Sequence, residues 1–262
     1  MLATRLTRGC SAAGSAPPWH GGGQGFESPQ LHRMELPKAN DDATCHHVLI
    51  VGAGPGIGSH FARIAADSGA ALTLVARTQR TLDASREQLI SAGATPPVRT
   101  VVADAADPTS LGAILSAYAE NAHPPIDTGL FNVSTWVPGG LNSDLAEVSR
   151  GLQAGAVSAL AMAQALVPSM RELPAARLLF TGSGSADSPA AASFGLGMQK
   201  AAMRNLVIGL SKELADTRIR VRTLTVHGAL APGTPFDPAR VADALWALAH
   251  ESGGDVEVAF RG

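Results

Sequence analysis

Three glycines, Gly52, Gly56 and Gly58, follow a short apolar run and open a helix-period segment, with Ile57 between the last two. That order suits a phosphate cradle. Glycine permits a tight turn and lets backbone N–H groups approach a pyrophosphate, whose charge a helix N-terminus favours. Glycine triplets also occur in chance turns, so the strand before this one and the helix after it carry the reading. A second apolar run ends at Ala76-Arg77-Thr78. A site selective for NAD usually places a carboxylate there to bond both ribose hydroxyls. Without one, a 2′-phosphate is not repelled and Arg77 can pair with it, so NADP(H) is expected rather than NAD(H). The alternative is that Arg77 is a solvated residue at a helix start. Downstream, Thr181-Gly182-Ser183-Gly184-Ser185 offers hydroxyls. Ser183 is either an oxyanion donor or part of a polar strand-to-loop turn. The imidazole of His227 could act as acid or base near neutral pH, or merely bond within a turn. Trp136 is placed to pack on an apolar ligand.

The elements that must position these residues alternate in type. Apolar runs at Val48–Val51, Leu72–Ala76, Val98–Ala103, Thr128–Val133, Arg177–Thr181, Arg218–Val226 and Val256–Phe260 read as strands. Between them lie helical patterns at Gly58–Ser68, Gln79–Ala92, Leu111–Asn121, a long stretch ending at Met170 and broken by Pro168, Ala191–Ala215, and Pro238–His250. Apolar strands alternating with helices imply an α/β fold: a doubly wound parallel sheet of Rossmann type, in three layers, α/β/α. The 262 residues suit one such domain plus a tail. We place the tail at residues 1–44 and the Rossmann-type dinucleotide-binding domain at residues 45–262. The tail is rich in Gly, Pro and Ser without apolar periodicity. It reads as a disordered segment, a transit peptide, or non-native sequence ahead of a start at Met34, because Gly23 to Gln30 resembles a translated transfer-RNA gene end. On that last reading residues 1–33 are absent from the native protein.

Composition narrows the function. A formal net charge of −2 gives no electrostatic case for nucleic acid or an anionic membrane. No apolar run reaches the ~18 residues that span a bilayer. Cys10 and Cys45 both precede the folded core, so neither a disulfide framework nor a metal site is expected, and the cytoplasm is the default compartment.

The spacing Gly-x-x-x-Gly-Ile-Gly at Gly52 to Gly58 resembles the short-chain dehydrogenase/reductase family, and the likeness runs from about Val48 to Phe260. The resemblance implies roles for further positions. Asp104 falls where the family hydrogen-bonds adenine, and Asn132 where it has an Asn-Asn-Ala-Gly segment, here Phe131-Asn132-Val133-Ser134. Ser183 and Lys200 fall seventeen apart, as the family's catalytic serine and ribose-binding lysine do. Two positions depart. The family's proton-donating tyrosine lies four before the lysine, where this chain has Leu196, and its helical asparagine falls at Gly155. The chain's one tyrosine, Tyr118, lies in a helix on an outer face of the sheet and reads as packing. The loop Ala229–Asp237 is short where the family carries a substrate-covering insertion, so the substrate side should be open to water. The resemblance implies an oxidoreductase acting on a small carbonyl or alcohol with a non-standard proton donor. The rival reading is a redox-inactive dinucleotide-binding protein: a sensor, a partner subunit or a non-redox enzyme. Subfamilies without the tyrosine resemble the chain through Ala201 to Leu206. The family also pairs helices into homodimers and homotetramers, and the small apolar face from Ala154 to Ala163 is compatible with that.

Overall fold

Short runs of valine, leucine and isoleucine form seven parallel strands in the computed structural model, which describes residues 47–94 and 97–262. In chain order they are β1 (His47–Val51), β2 (Ala71–Ala76), β3 (Val98–Val102), β4 (Thr128–Phe131), β5 (Ala176–Ser183), β6 (Ile219–Val226) and β7 (Glu257–Phe260). Their order across the sheet is β3-β2-β1-β4-β5-β6-β7. The chain winds outward from β1 to β3, then returns to lay β4 on the free side of β1. The crevice at the C-terminal ends of β1 and β4 is therefore the topological switch point, where such sheets bind ligands. The expected tail, its boundary near residue 45, Cys10 and Cys45 lie outside the described residues.

Helices cover both faces. On one, α3 (Pro108–Glu120), α5 (Ser158–Met170) and α6 (Phe194–Glu213) bury Leu111, Leu115, Met162, Leu166, Met203 and Val207. On the other, α1 (Ile57–Asp67), α2 (Gln79–Ser91) and α7 (Pro238–His250) bury Phe61, Leu82, Leu245 and Leu248. Helix starts follow their local chemistry: Asp107 and Asp237 cap α3 and α7 ahead of a proline in the first turn, and Thr78 caps α2. The N-terminus of α1 has no side-chain cap and no acid in its first turn.

Several expectations need correction. Pro168 does not break the helix, which continues to Met170; a proline so near the end removes a bond the last turn can spare. The interruption lies upstream, where Gln153–Val157 forms a π-helical turn between α4 (Leu145–Leu152) and α5. The stretch Leu145–Met170 is long and apolar enough to cross a membrane by length and composition, contrary to the expectation that no segment is. Most of its apolar side chains, Met162 and Leu166 among them, go into the core, while Leu145 and Val157 are exposed. Ala154, Gly155, Ala159 and Ala163 are buried within their own chain. Met162, Met170 and Met203 are core residues, whereas Met198 is exposed. Strand β5 runs two residues past its expected end, which makes Ser183 the last ladder residue rather than part of a loop. Strand β3 is half-exposed, as befits a sheet edge.

Candidate active site

The glycine turn follows from its backbone. Gly52 and Gly56 have φ of +91° and +102°, which side-chain-bearing residues rarely adopt. A Cβ on Gly58 would lie 2.5 Å from the Gly52 carbonyl oxygen, so only glycine lets α1 start this close to the turn. A Cβ on Gly56 would meet nothing within 4 Å. The turn thus leaves open space before uncapped helical N–H groups, the form of an anion cradle. Ile57, the first residue of α1, is buried beneath it. Asn132 ties the turn to the end of β4: its Nδ2 donates to the Gly52 oxygen at 3.2 Å, and its backbone N–H to Val51 at 2.8 Å.

This turn forms one wall of an open cleft of about 1210 Å³ that runs over the C-terminal ends of the strands. Gly52, Gly56, Ile57, Arg77, Asp104, Asn132, Ser183, Leu196, Lys200 and His227 all line it. Arg77 is exposed just past β2 and makes no hydrogen bond or ion pair within the described residues. The Asp104 carboxylate accepts the Ala106 N–H at 2.9 Å, which fixes the turn after β3. Gly155 lies outside the lining, behind it.

Lys200 is the most constrained group. It is 4% exposed, and its Nζ donates to the carbonyl oxygens of Val133 at 3.0 Å and Thr181 at 2.8 Å. Burial lowers the ammonium to about 8, because the charge has lost water. Two of its three N–H groups are engaged, leaving one. Ser183 Oγ donates to Ser185 Oγ at 3.2 Å and accepts the Ser185 N–H at the same distance. His227 packs its ring on Gly184, where a Cβ would come 2.8 Å from Nδ1. Desolvation, then the nearby Arg261, lowers its pKa below the usual 6.5.

Leu196, one turn before Lys200 on α6, faces the cleft half-buried and offers no proton. Tyr118 is remote: its hydroxyl accepts from Thr73 Oγ1 at 2.9 Å, and Thr73 in turn bonds His47, the first residue of β1, at the N-terminal end of the strands, opposite the cleft. It is a packing residue, as its helix implied.

One residue escaped the sequence reading. Gln199 is fully buried, and its side-chain amide grips one backbone unit from both sides. Oε1 accepts the Thr135 N–H at 2.9 Å, and Nε2 donates to the Thr135 oxygen at 2.7 Å. A Cβ on Gly155 would lie 2.5 Å from Oε1, so the π-helical turn and its glycine make room for this amide. The signal was a polar residue beside Lys200 facing two small ones, Gly151 and Gly155. The whole segment after β4 is fastened in this manner. Val133 is held by Lys200, Thr135 by Gln199, Val137 by Ser193 Oγ at 2.6 Å, and Gly139 through its N–H to Ala192 at 3.0 Å. The residues between, Ser134, Trp136 and Pro138, are exposed, and Ser134 and Trp136 line the cleft.

The substrate side is bounded by Trp136, 59% exposed, and Leu230, 48% exposed. The short loop after β6 folds Phe236 back onto Gly228 and against Phe260, so among the described residues this loop puts no covering segment over the cleft. Arg204 on α6 holds Asp187 through two bonds of 2.5 and 2.9 Å and pairs with Glu257 of β7 at 2.9 Å, which anchors the loop after Ser183.

Comparison with known proteins agrees with this geometry. The family model for short chain dehydrogenases matches residues 46–234. No curated protein sequence matches the chain. Among solved structures, a metagenomic short-chain oxidoreductase in complex with NADP is 22% identical, covering 82% of this chain and 96% of its own, with a TM-score of 0.73. An NADPH-bound short-chain oxidoreductase from Pseudomonas aeruginosa PAO1, which contains an atypical catalytic center, is 19% identical over 82% of this chain and 95% of its own, at 0.72. A 3-oxoacyl-[acyl-carrier protein] reductase from Brucella melitensis with bound NAD is 22% identical over 87% and 97%, at 0.71. With that family match spanning most of the chain, over a parallel sheet with a glycine turn and a cleft at its switch point, the protein belongs to the short chain dehydrogenase family.

Proposed function

We propose that this chain is an NADP(H)-dependent oxidoreductase that reduces a small apolar carbonyl, or oxidises the matching alcohol, with Lys200 as proton source in place of the family's tyrosine. The carrying observation is that Lys200, Ser183, Leu196 and Arg77 open on one cleft with the glycine turn. The residues fit the cofactor: open space before Gly56 and the uncapped N-terminus of α1 suit the pyrophosphate, and exposed Arg77 suits a 2′-phosphate. Asp104 stands on the adenine side, and Asn132 and Lys200 on the nicotinamide side. Relatives with NADP and with NAD both exist, so the preference rests on Arg77 and the missing carboxylate.

When bound, the cofactor supplies a hydride to the carbonyl carbon and is itself oxidised. The chain's own residues manage the oxygen. Ser183 Oγ, held at the end of β5, would turn its one O–H from Ser185 Oγ to donate a hydrogen bond to it, while still accepting the Ser185 N–H. The proton comes from Lys200 Nζ, which near pH 7 is mostly charged and has one N–H unengaged. His227 serves less well, since its lowered pKa leaves it mainly neutral there. Reduction should therefore weaken as pH rises past about 8. Trp136, Leu196 and Leu230 favour an apolar substrate, and a cytoplasmic setting suits the chemistry.

Leu196 also favours a second reading, a dinucleotide-binding protein without redox turnover. Calorimetric titration with NADPH, then absorbance at 340 nm over a panel of aryl and alkyl ketones, separates the two. Binding with wild-type turnover that falls by about 10²–10⁴ in Lys200→Met, and that Leu196→Tyr raises by much less than that, supports the reductase with Lys200 as its acid. Binding with turnover only in the tyrosine variant supports the second reading. Failure to bind any dinucleotide excludes both.

A further inference from the structure

The segment from Val133 to Gly139 belongs to no strand, yet its backbone groups are bonded at every second residue by α6 and the residues just before it. At Thr135 both the N–H and the C=O are taken by a single side chain, so the Gln199 amide does what a neighbouring strand would do. We infer that Gln199 is a positioning residue of the cofactor cleft: its buried amide holds Thr135, and through it Ser134 and Trp136, against the end of the cleft that receives the nicotinamide half. This rests on the dinucleotide reading above.

The division of the cleft follows from the sheet. Arg77 and Asp104 stand past β2 and β3, on the outward side of the switch point, and take the adenosine half. The other half must then lie over β4, β5 and β6, where Ser134, Ser183 and His227 stand. Gln199 touches only that side. The fit is close from behind as well: Cβ atoms on Gly155 and Gly151 would come 2.5 Å from Oε1 and 3.3 Å from Nε2. Two small residues on the α4–α5 stretch thus frame one amide on α6, and no shorter or charged side chain makes the same pair of bonds.

The test uses two ligands on the full chain: NADPH, and adenosine 2′,5′-bisphosphate, which carries the adenosine half alone. Gln199→Leu keeps roughly the volume and leaves both Thr135 groups without partners. Its NADPH affinity should fall on the order of tenfold or more, while the bisphosphate stays within about twofold of wild type. Gln199→Glu keeps an acceptor for the Thr135 N–H but offers its oxygen no donor, so the same selective loss is expected. Gly155→Ala, which leaves Gln199 intact but displaces its amide, should repeat it. Circular dichroism and a cooperative melt confirm folding, and any one folded variant decides. Equal losses for both ligands, or no loss for either, would overturn the inference. A wild-type protein that binds neither ligand would instead remove the cofactor reading on which it stands.

Discussion

Replacing Lys200 by methionine tests whether this side chain carries a charge in a dry place. The ammonium is almost fully buried with carbonyl partners alone, and its pKa falls from 10.5 to about 8. That gap corresponds to about 3 kcal/mol of differential interaction between the charged and neutral forms. In the unfolded chain the lysine keeps its proton up to about 10.5, whereas in the folded chain it releases it near 8. Between those values the unfolded state binds more protons, so folding stability rises with pH. From pH 7 to pH 10 the wild type should gain about 2.5 kcal/mol from this group alone. The assay is urea unfolding at several pH values for wild type and Lys200→Met. Every other group titrates in both proteins and cancels in the difference. The wild-type profile should therefore climb relative to the variant above pH 8. At pH 7 the variant sheds the buried charge but leaves the Val133 and Thr181 oxygens without donors, about 1–3 kcal/mol each, so its net change there is small or unfavourable. Parallel profiles would refute the reasoning, because they would mean the ammonium is solvated and has no reason to serve as an acid near neutrality.

Two further substitutions address the two ends of the sheet. Arg77→Ala should weaken NADPH about tenfold or more while changing NADH little, as paired titrations would register; equal changes would remove the 2′-phosphate assignment. Tyr118→Phe should leave cofactor affinity and any turnover unchanged but lower stability by about 1 kcal/mol in denaturant unfolding, since the hydroxyl only accepts a bond from Thr73.

The strand and helix order was legible from residue 47 onward because the inner strands are short apolar runs that a parallel sheet buries on both faces. Periodicity located Pro238–His250 at both ends, since Asp237 and Pro238 mark its start. It missed the π-helical turn at Gln153–Val157, which no local propensity announces; the turn is set by Gln199, more than forty residues away in sequence. The glycine turn was legible because positive φ and close approach demand glycine. Ser183 and Lys200 were singled out by resemblance and both line the cleft, but the partners of Lys200 were not legible, because carbonyl oxygens such as those of Val133 and Thr181 leave no trace in residue type. Asn132 was expected at the cofactor; it lines the cleft and also bonds the glycine turn, a contact that depends on β1 and β4 being neighbours.

The fastened segment after β4 also bears on how such a protein changes over time. Val133, Thr135, Val137 and Gly139 carry the attachments, and four of the five bonds go to their backbone atoms from fixed side chains. Ser134 and Trp136, between them, contribute exposed side chains on the cleft that make no hydrogen bond among the described residues. Alternate positions of one short stretch are thus under different constraints: one set preserves shape, and the other is free to vary. Mutations at the second set can alter what the cleft presents to a substrate without a stability penalty, so the range of molecules accepted can drift while the fold is inherited unchanged.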